Sequence, residues 1–204
     1  MIRTIFFDIG NVLLGFNHEL IWQRLAVFSA LPVERLAQEI RDSGIMNLHE
    51  TGRLASHQFF DEVQQRGKLL PSLTYGVFCS CWQDMFWEHT EMTQLIIPLQ
   101  RRYRVGLISN IGELHWLWIA EQYPIFNQIE ASLRILSFQA GVMKPDAGIF
   151  EQAVRQAQCA PDECVYIDDI DEYVLSGAAF GMQAIRRNSA EQVKAELQQR
   201  GVTW

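Results

Sequence analysis

At 204 residues with 49% hydrophobic content, the chain has enough apolar material for one sizeable core, as a single domain or a domain with a modest insertion, and argues against disorder. A net charge of −7 without a long basic run argues against a nucleic-acid partner, because nonspecific binding to a phosphate backbone rests on clustered Lys and Arg. A small-molecule substrate is the default that remains.

In chain order, residues 5–7 form a first apolar run, ending at Asp8. Residues 105–108 before Ser109 and 164–167 before Asp168 repeat that arrangement. Each run is too short for a core helix and is apolar throughout rather than alternating, which predicts strands buried on both faces. Between the first and second runs lie helical spacings only: Trp22, Leu25 and Phe28; Val33, Leu36, Ala37 and Ile40; Phe59, Phe60 and Val63; Val77, Cys81 and Met85. Residues 16–96 therefore read as a small helical bundle inserted after the first strand, with 1–15 and 97–204 forming the core domain. A helix is predicted from near Asp146, after Pro145, through Ala157, with Pro161 as its stop. Another covers 172–180 before Gly181, a strand covers 182–185, and an amphipathic helix over 191–199 closes the chain. The alternation predicts an open, doubly wound parallel α/β sheet, Rossmann-like, with an inserted helical cap.

Cys79, Cys81, Cys159 and Cys164 lack zinc-ligand spacing and read as reduced thiols. The five histidines, His18, His49, His57, His89 and His115, likewise show no metal-ligand spacing, and Trp22, Trp82 and Trp87 read as packing within the cap. The N-terminal residues match neither a signal peptide nor a membrane span, giving a cytoplasmic expectation without a membrane partner. The oligomeric state has no signal in the sequence.

Ligands of open α/β sheets bind outside the carboxyl ends of the strands. Asp8, Ser109, Asn110, Asp168 and Asp169 all fall at such ends, and Lys144 precedes a helix start. Together they offer a nucleophile, hydroxyl and amide donors, a cation and paired carboxylates for a metal. Simpler roles exist for each: a turn or cap for Asp8, an N-cap of a helix from Gly112 for Ser109, a surface position for Lys144, and a structural turn for Asp168 and Asp169. Lys144 is one of only three lysines, beside fourteen arginines, and a compact ammonium approaches carboxylate and phosphate as a point charge.

The segments FFDIGNVLL (6–14), LISN (107–110), GVMKPDAGIF (141–150) and YIDDIDEYVLSGAAFGMQAI (166–185) resemble, in order, the four motifs of the haloacid dehalogenase (HAD) superfamily. HETGRLASHQFF (49–60) resembles a cap segment common in its small cytoplasmic phosphatases, and the DxGNV segment at 8–12 resembles that of members similar to sugar-phosphate phosphatases. The resemblance implies a Mg²⁺-dependent phosphatase acting on a small phosphorylated metabolite. Asp8 would attack phosphorus to form an aspartyl-phosphate. Ser109 and the Asn110 backbone would hold phosphoryl oxygens, and Lys144 would neutralise charge. Mg²⁺ would sit on Asp8, the Gly10 carbonyl and Asp169, with Asp168 a direct or water-mediated partner.

Two positions depart from the pattern. The family usually places a second Asp, its general acid and base, where this chain has Gly10, and an Asp or Asn where it has Tyr173. Loss of such an acid typically removes about 10² to 10⁴ in rate, so slow turnover or a replacement acid follows. A glycine here also admits a positive φ that aspartate adopts only with strain. The alternatives are a noncatalytic HAD-fold binding or regulatory protein and a 2-haloacid dehalogenase.

Overall fold

The computed structural model describes residues 1–204. Its strands are β1 (Thr4–Phe7), β2 (Leu14–Phe16), β3 (Phe86–Glu88), β4 (Arg104–Ser109), β5 (Arg134–Leu136), β6 (Cys164–Asp168) and β7 (Gln183–Arg186). Five of them form one parallel sheet in the order β5-β4-β1-β6-β7, whereas β2 and β3 pair separately as an antiparallel ribbon. Helices α1 (Glu19–Ala26), α2 (Val33–Asp42), α3 (Ile45–Glu50), α4 (Ser56–Arg66) and α5 (Tyr75–Gln83) make the inserted bundle. Then follow α6 (Thr90–Thr93), α7 (Ile96–Gln100), α8 (Glu113–Gln122), α9 (Ser137–Ala140), α10 (Ala147–Ala157), α11 (Asp171–Ala179) and α12 (Ala190–Gln199). No helix is long and apolar enough to cross a membrane.

The central strand shows why its sequence is uniformly apolar. Successive side chains of a strand point to opposite faces, so Ile5 and Phe7 enter one helical layer with Leu107, Val165 and Ile167. Phe6 enters the other, with Ile108, Phe150 and Tyr166. Both layers are fully covered, so alternation with polar residues is absent.

The bundle has its own core, in which Trp22 and Trp82 meet edge to face at 5.8 Å and Phe59 packs against Trp82 at 4.8 Å. Trp87 is not part of it. That indole is half exposed and lies across Gly15 in the β2–β3 ribbon, so close that a Cβ on Gly15 would meet its ring at 2.2 Å. The ribbon stands where the chain crosses between core and cap, and β3 is a strand inside a stretch whose sequence shows helical spacings alone. Met92, Leu95, Ile96 and Leu99, just beyond it, pack with the sheet's core. The bundle of α1–α5 thus ends near residue 84 rather than 96. Amphipathic spacing looks the same whichever layer a helix covers, so it cannot locate that crossing.

Smaller differences have local causes. Val77 is exposed while Phe78, Cys81 and Trp82 form the buried stripe of α5. Phe28 and Met85 lie beyond the ends of α1 and α5. α10 stops at Ala157 because Gln158 turns left-handed at φ 53, before Pro161 is reached. β5, only three residues long, escapes a periodicity reading.

Candidate active site

β1 and β6 are neighbours, with Phe7 opposite Ile167, and the Asp8 amide donates to the Ile167 carbonyl at 2.9 Å. This register brings Asp8 and Asp168 side by side at the carboxyl edge of the sheet. Lys144, from the loop before α10, reaches between them. Its Nζ lies 2.6 Å from Asp168 Oδ2 and 3.0 Å from Asp8 Oδ1, and all three side chains are buried. Lys144 is fixed from its backbone as well: its amide donates to Asn110 Oδ1 at 2.7 Å, and Asn110 Nδ2 donates to its carbonyl at 2.9 Å. The Asn110 side chain is therefore occupied as a clamp, which leaves only its backbone for a ligand.

Asp168 is saturated by protein donors. Oδ2 takes Lys144 and the Tyr166 hydroxyl, and Oδ1 takes the Ile170 amide at 2.9 Å. Asp8 is different, since its buried Oδ1 receives no aligned hydrogen bond despite the nearby ammonium. The Lys144 ammonium, 3.0 Å away, is the one group against that oxygen, so Asp8 is less fully satisfied than Asp168. One ligand oxygen each from Asp8, Asp168 and Asp169 lies within 4.8 Å of the others. Three carboxylates facing one ammonium leave a negative excess that a divalent cation balances, and an all-oxygen donor set suits a hard cation. The residues present thus fit Mg²⁺, with Asp8 and Asp169 as the carboxylates free to bind it.

The charges show the same imbalance. Burial pushes the Asp8 carboxyl up to about 6, with Lys144 opposing and Asp168 adding to the rise. Asp169 is raised by burial and by Asp168. Burial works to lower Lys144, but the two carboxylates outweigh it and hold the ammonium above its ordinary range.

Ser109 ends β4, is buried, and works against the rise of the Asp8 carboxyl. It is not a helix cap, because α8 starts from Gly112 without a side-chain cap. Tyr173 covers the cation: Lys144 Nζ lies 4.9 Å from the ring centroid, within cation–π range. Gly10 does not have a positive φ. A Cβ there would instead meet the Phe16 ring at 2.9 Å, so an aromatic side chain fills the space into which a second aspartate would project.

Four residues around the candidate site went unseen in the sequence. Tyr166 precedes Asp168 by two on one strand and shares its face, a signal that strand periodicity could have supplied. Asn11 adopts φ 49, and Arg187 fixes it by donating to its carbonyl at 2.7 Å. Nothing in the sequence marks that contact across 176 positions. Ser137 anchors the turn after β4, accepting from the Ile111 amide at 2.9 Å.

A family model described as haloacid dehalogenase-like hydrolase matches residues 2–181. The chain belongs to this family. The HAD-like hydrolases similar to it include the D-ribitol-5-phosphate phosphatase of Bacteroides thetaiotaomicron, 24% identical over 97% of both chains. A solved HAD family enzyme from Bacteroides thetaiotaomicron superposes with a TM-score of 0.82 at 20% identity, over 97% of this chain and 98% of that one. Its complex with magnesium and inorganic phosphate superposes at 0.77 and 18% identity, covering 92% and 95%. At these identities the solved structures establish the HAD fold: the parallel sheet and its helical layers.

Proposed function

We propose that this HAD-like hydrolase is a Mg²⁺-dependent phosphatase of a small phosphorylated metabolite, in the sugar- or polyol-phosphate class, working through an aspartyl-phosphate on Asp8. The observation that carries the reading is the Lys144 ammonium, buried between Asp8 and Asp168 at the carboxyl edge of the sheet, with Asp169 close enough to complete a three-carboxylate cluster. The similarity to a phosphatase of D-ribitol 5-phosphate supports the substrate class.

In this reading an Asp8 oxygen attacks phosphorus, the bond to the leaving oxygen breaks, and water later hydrolyses the acyl phosphate to restore the carboxylate. Ser109 and the Asn110 backbone hold phosphoryl oxygens, while Lys144 offsets the charge gathered at the nucleophile. Asp8, the Gly10 carbonyl and Asp169, with Asp168 beside them, would hold Mg²⁺, whose charge would lower the repulsion between the carboxylate and the phosphate. Asp168, held by three protein donors, acts mainly by positioning Lys144.

A buried carboxylate raised well above its usual range is poorly explained as scaffold, because buried ion pairs contribute little net stability. That weighs against a noncatalytic role, although Gly10 and Tyr173 depart from the family pattern. The acidic cluster equally weighs against a 2-haloacid dehalogenase, whose anionic substrate it would repel without a cation. Phosphate release from a set of phosphorylated metabolites, with and without Mg²⁺, run beside halide release from 2-haloacids, separates the three. Mg²⁺-dependent phosphate release supports the proposal, and halide release without Mg²⁺ would replace it.

A further inference from the structure

Gly10 leaves the reaction without the family's usual proton donor, and Phe16 occupies the adjoining space. Directly beside it lies a cavity of about 90 Å³ between core and cap, whose walls include Gly10, Ser109 and Asn110 on the core side and Phe16, His18 and Glu50 on the cap side. This is well below the roughly 300–1,000 Å³ of ordinary small-molecule pockets, so it holds only part of a sugar phosphate, at the end nearest Ser109. Even so, its walls show which groups meet a leaving group placed beside Ser109.

Three ionisable side chains line that cavity: His18, Glu50 and His115. His115 is buried and engaged, with Nε2 3.1 Å from the Trp82 carbonyl, and burial pushes its pKa down to about 3. His18 packs against Phe16 with tilted rings 4.9 Å apart, and burial and Arg41 also lower it. Both imidazoles are therefore neutral near pH 7 and make poor acids. Glu50, the last residue of α3, is the remaining group. His18, His49 and His115 are the other ionisable groups around Glu50, and no lysine or arginine lines the space beside it. Glu113 stands across from α3 but is engaged by the Ser56 hydroxyl. Glu50 is part-buried at the cavity wall, no hydrogen bond or ion pair holds it ionised, and burial pushes it up to about 7. A carboxyl in that state carries a proton near neutral pH and suits general-acid work.

We propose that Glu50, presented by the cap across this cavity, takes the place of the absent aspartate as general acid. The inference rests on the phosphatase reading. As the Asp8 oxygen bonds to phosphorus, the P–O bond to the leaving group breaks, and its electron pair takes the Glu50 proton. This yields the free alcohol and a Glu50 carboxylate. That carboxylate regains a proton from the water that next attacks phosphorus from the same side. Because the acid comes from the cap, the reaction proceeds only with the cap closed over the substrate, which ties selection of the leaving group to its protonation.

The test is kcat/KM with Mg²⁺ for a series of alkyl and aryl phosphates of graded leaving-group pKa, in the natural protein and in Glu50→Gln. kcat/KM reports steps only through leaving-group departure and is insensitive to later water attack. The natural protein should show a shallow dependence on leaving-group pKa. Glu50→Gln should show a steep one, losing about 10² to 10⁴ on alkyl phosphates and far less on p-nitrophenyl phosphate, whose leaving group needs little protonation. The alkyl-phosphate rate of the natural protein should also fall as pH rises through about 7, and this limb should be absent in Glu50→Gln. Glu50→Asp, keeping the acid on a shorter stem, should recover part of the alkyl rate. An equal loss on alkyl and aryl esters, or none, overturns the role of Glu50 while leaving the phosphatase reading intact. No Mg²⁺-dependent turnover of any ester by the natural protein overturns both.

Discussion

The Lys144 ammonium is bonded to Asp168 at 2.6 Å with both side chains essentially inaccessible to solvent. It is also the sole cation near Asp8, 3.0 Å away, so one side chain compensates two buried carboxylates from neighbouring strands. Removing one partner of a buried pair is strongly destabilising because the other is left uncompensated. Lys144→Met should therefore lower stability by roughly 3 kcal/mol, read as a drop in the urea midpoint at pH 7.5. A change within the error of the unfolding curve would mean that the carboxylates are solvated or neutral already.

Asp8 gives a pH-dependent counterpart. Its folded pKa of about 6 lies above the ordinary 3.8, so its contribution to stability is present below about 3.8 and is lost as pH rises through about 6. In EDTA, Asp8→Asn should consequently be more stable than the natural protein at pH 7.5, by on the order of 1–3 kcal/mol, with the gap closing toward pH 4. Paired thermal melts at both pH values isolate this one group. An equal gap at both, or a less stable Asp8→Asn at pH 7.5, would contradict the raised pKa.

Asp169 is the partly exposed carboxylate of the cluster. Asp169→Ala should weaken Mg²⁺ binding by removing an anionic oxygen from a hard cation while leaving the Lys144–Asp168 pair in place. Calorimetric titration of Mg²⁺ into both proteins checks it. Equal affinities would locate the metal elsewhere.

Replacing Gly10 probes the collision with Phe16. A Cβ at position 10 would meet Phe16 Cε1 at 2.9 Å without any backbone obstacle. Gly10→Asp should be destabilised by about 1–3 kcal/mol as an overpacked site, and less so in the Phe16→Ala background. A double-mutant cycle should return a coupling of about 0.5–3 kcal/mol. Strict additivity of the two changes would show that the ring does not set the tolerance at position 10.

The strand ends were legible in the sequence because fully buried parallel strands leave continuous apolar runs that stop at polar residues, as at Asp8, Ser109 and Asp168. Lys144 stood out because lysine is scarce in this chain. What the sequence withheld arises from the meeting of distant segments: Arg187 steadying Asn11, Asn110 clamping the Lys144 backbone, and Glu50 brought by the cap to the cavity that Gly10 also lines. The obstacle at Gly10 was also misplaced, since glycine's conformational freedom was the visible reason and the Phe16 ring is the physical one. The β2–β3 ribbon and β5 were missed for a common cause, because three-residue strands carry too little periodicity to register.

The most direct test of the account is phosphate release from p-nitrophenyl phosphate by the natural protein and by Asp8→Asn, each with Mg²⁺ and with EDTA, circular dichroism verifying the fold. Release should occur only for the natural protein with Mg²⁺, because the amide keeps the shape of the side chain but loses its nucleophilicity and charge. Substantial turnover by folded Asp8→Asn, or turnover by the natural protein undiminished in EDTA, would contradict the assignment of Asp8 as a Mg²⁺-assisted nucleophile.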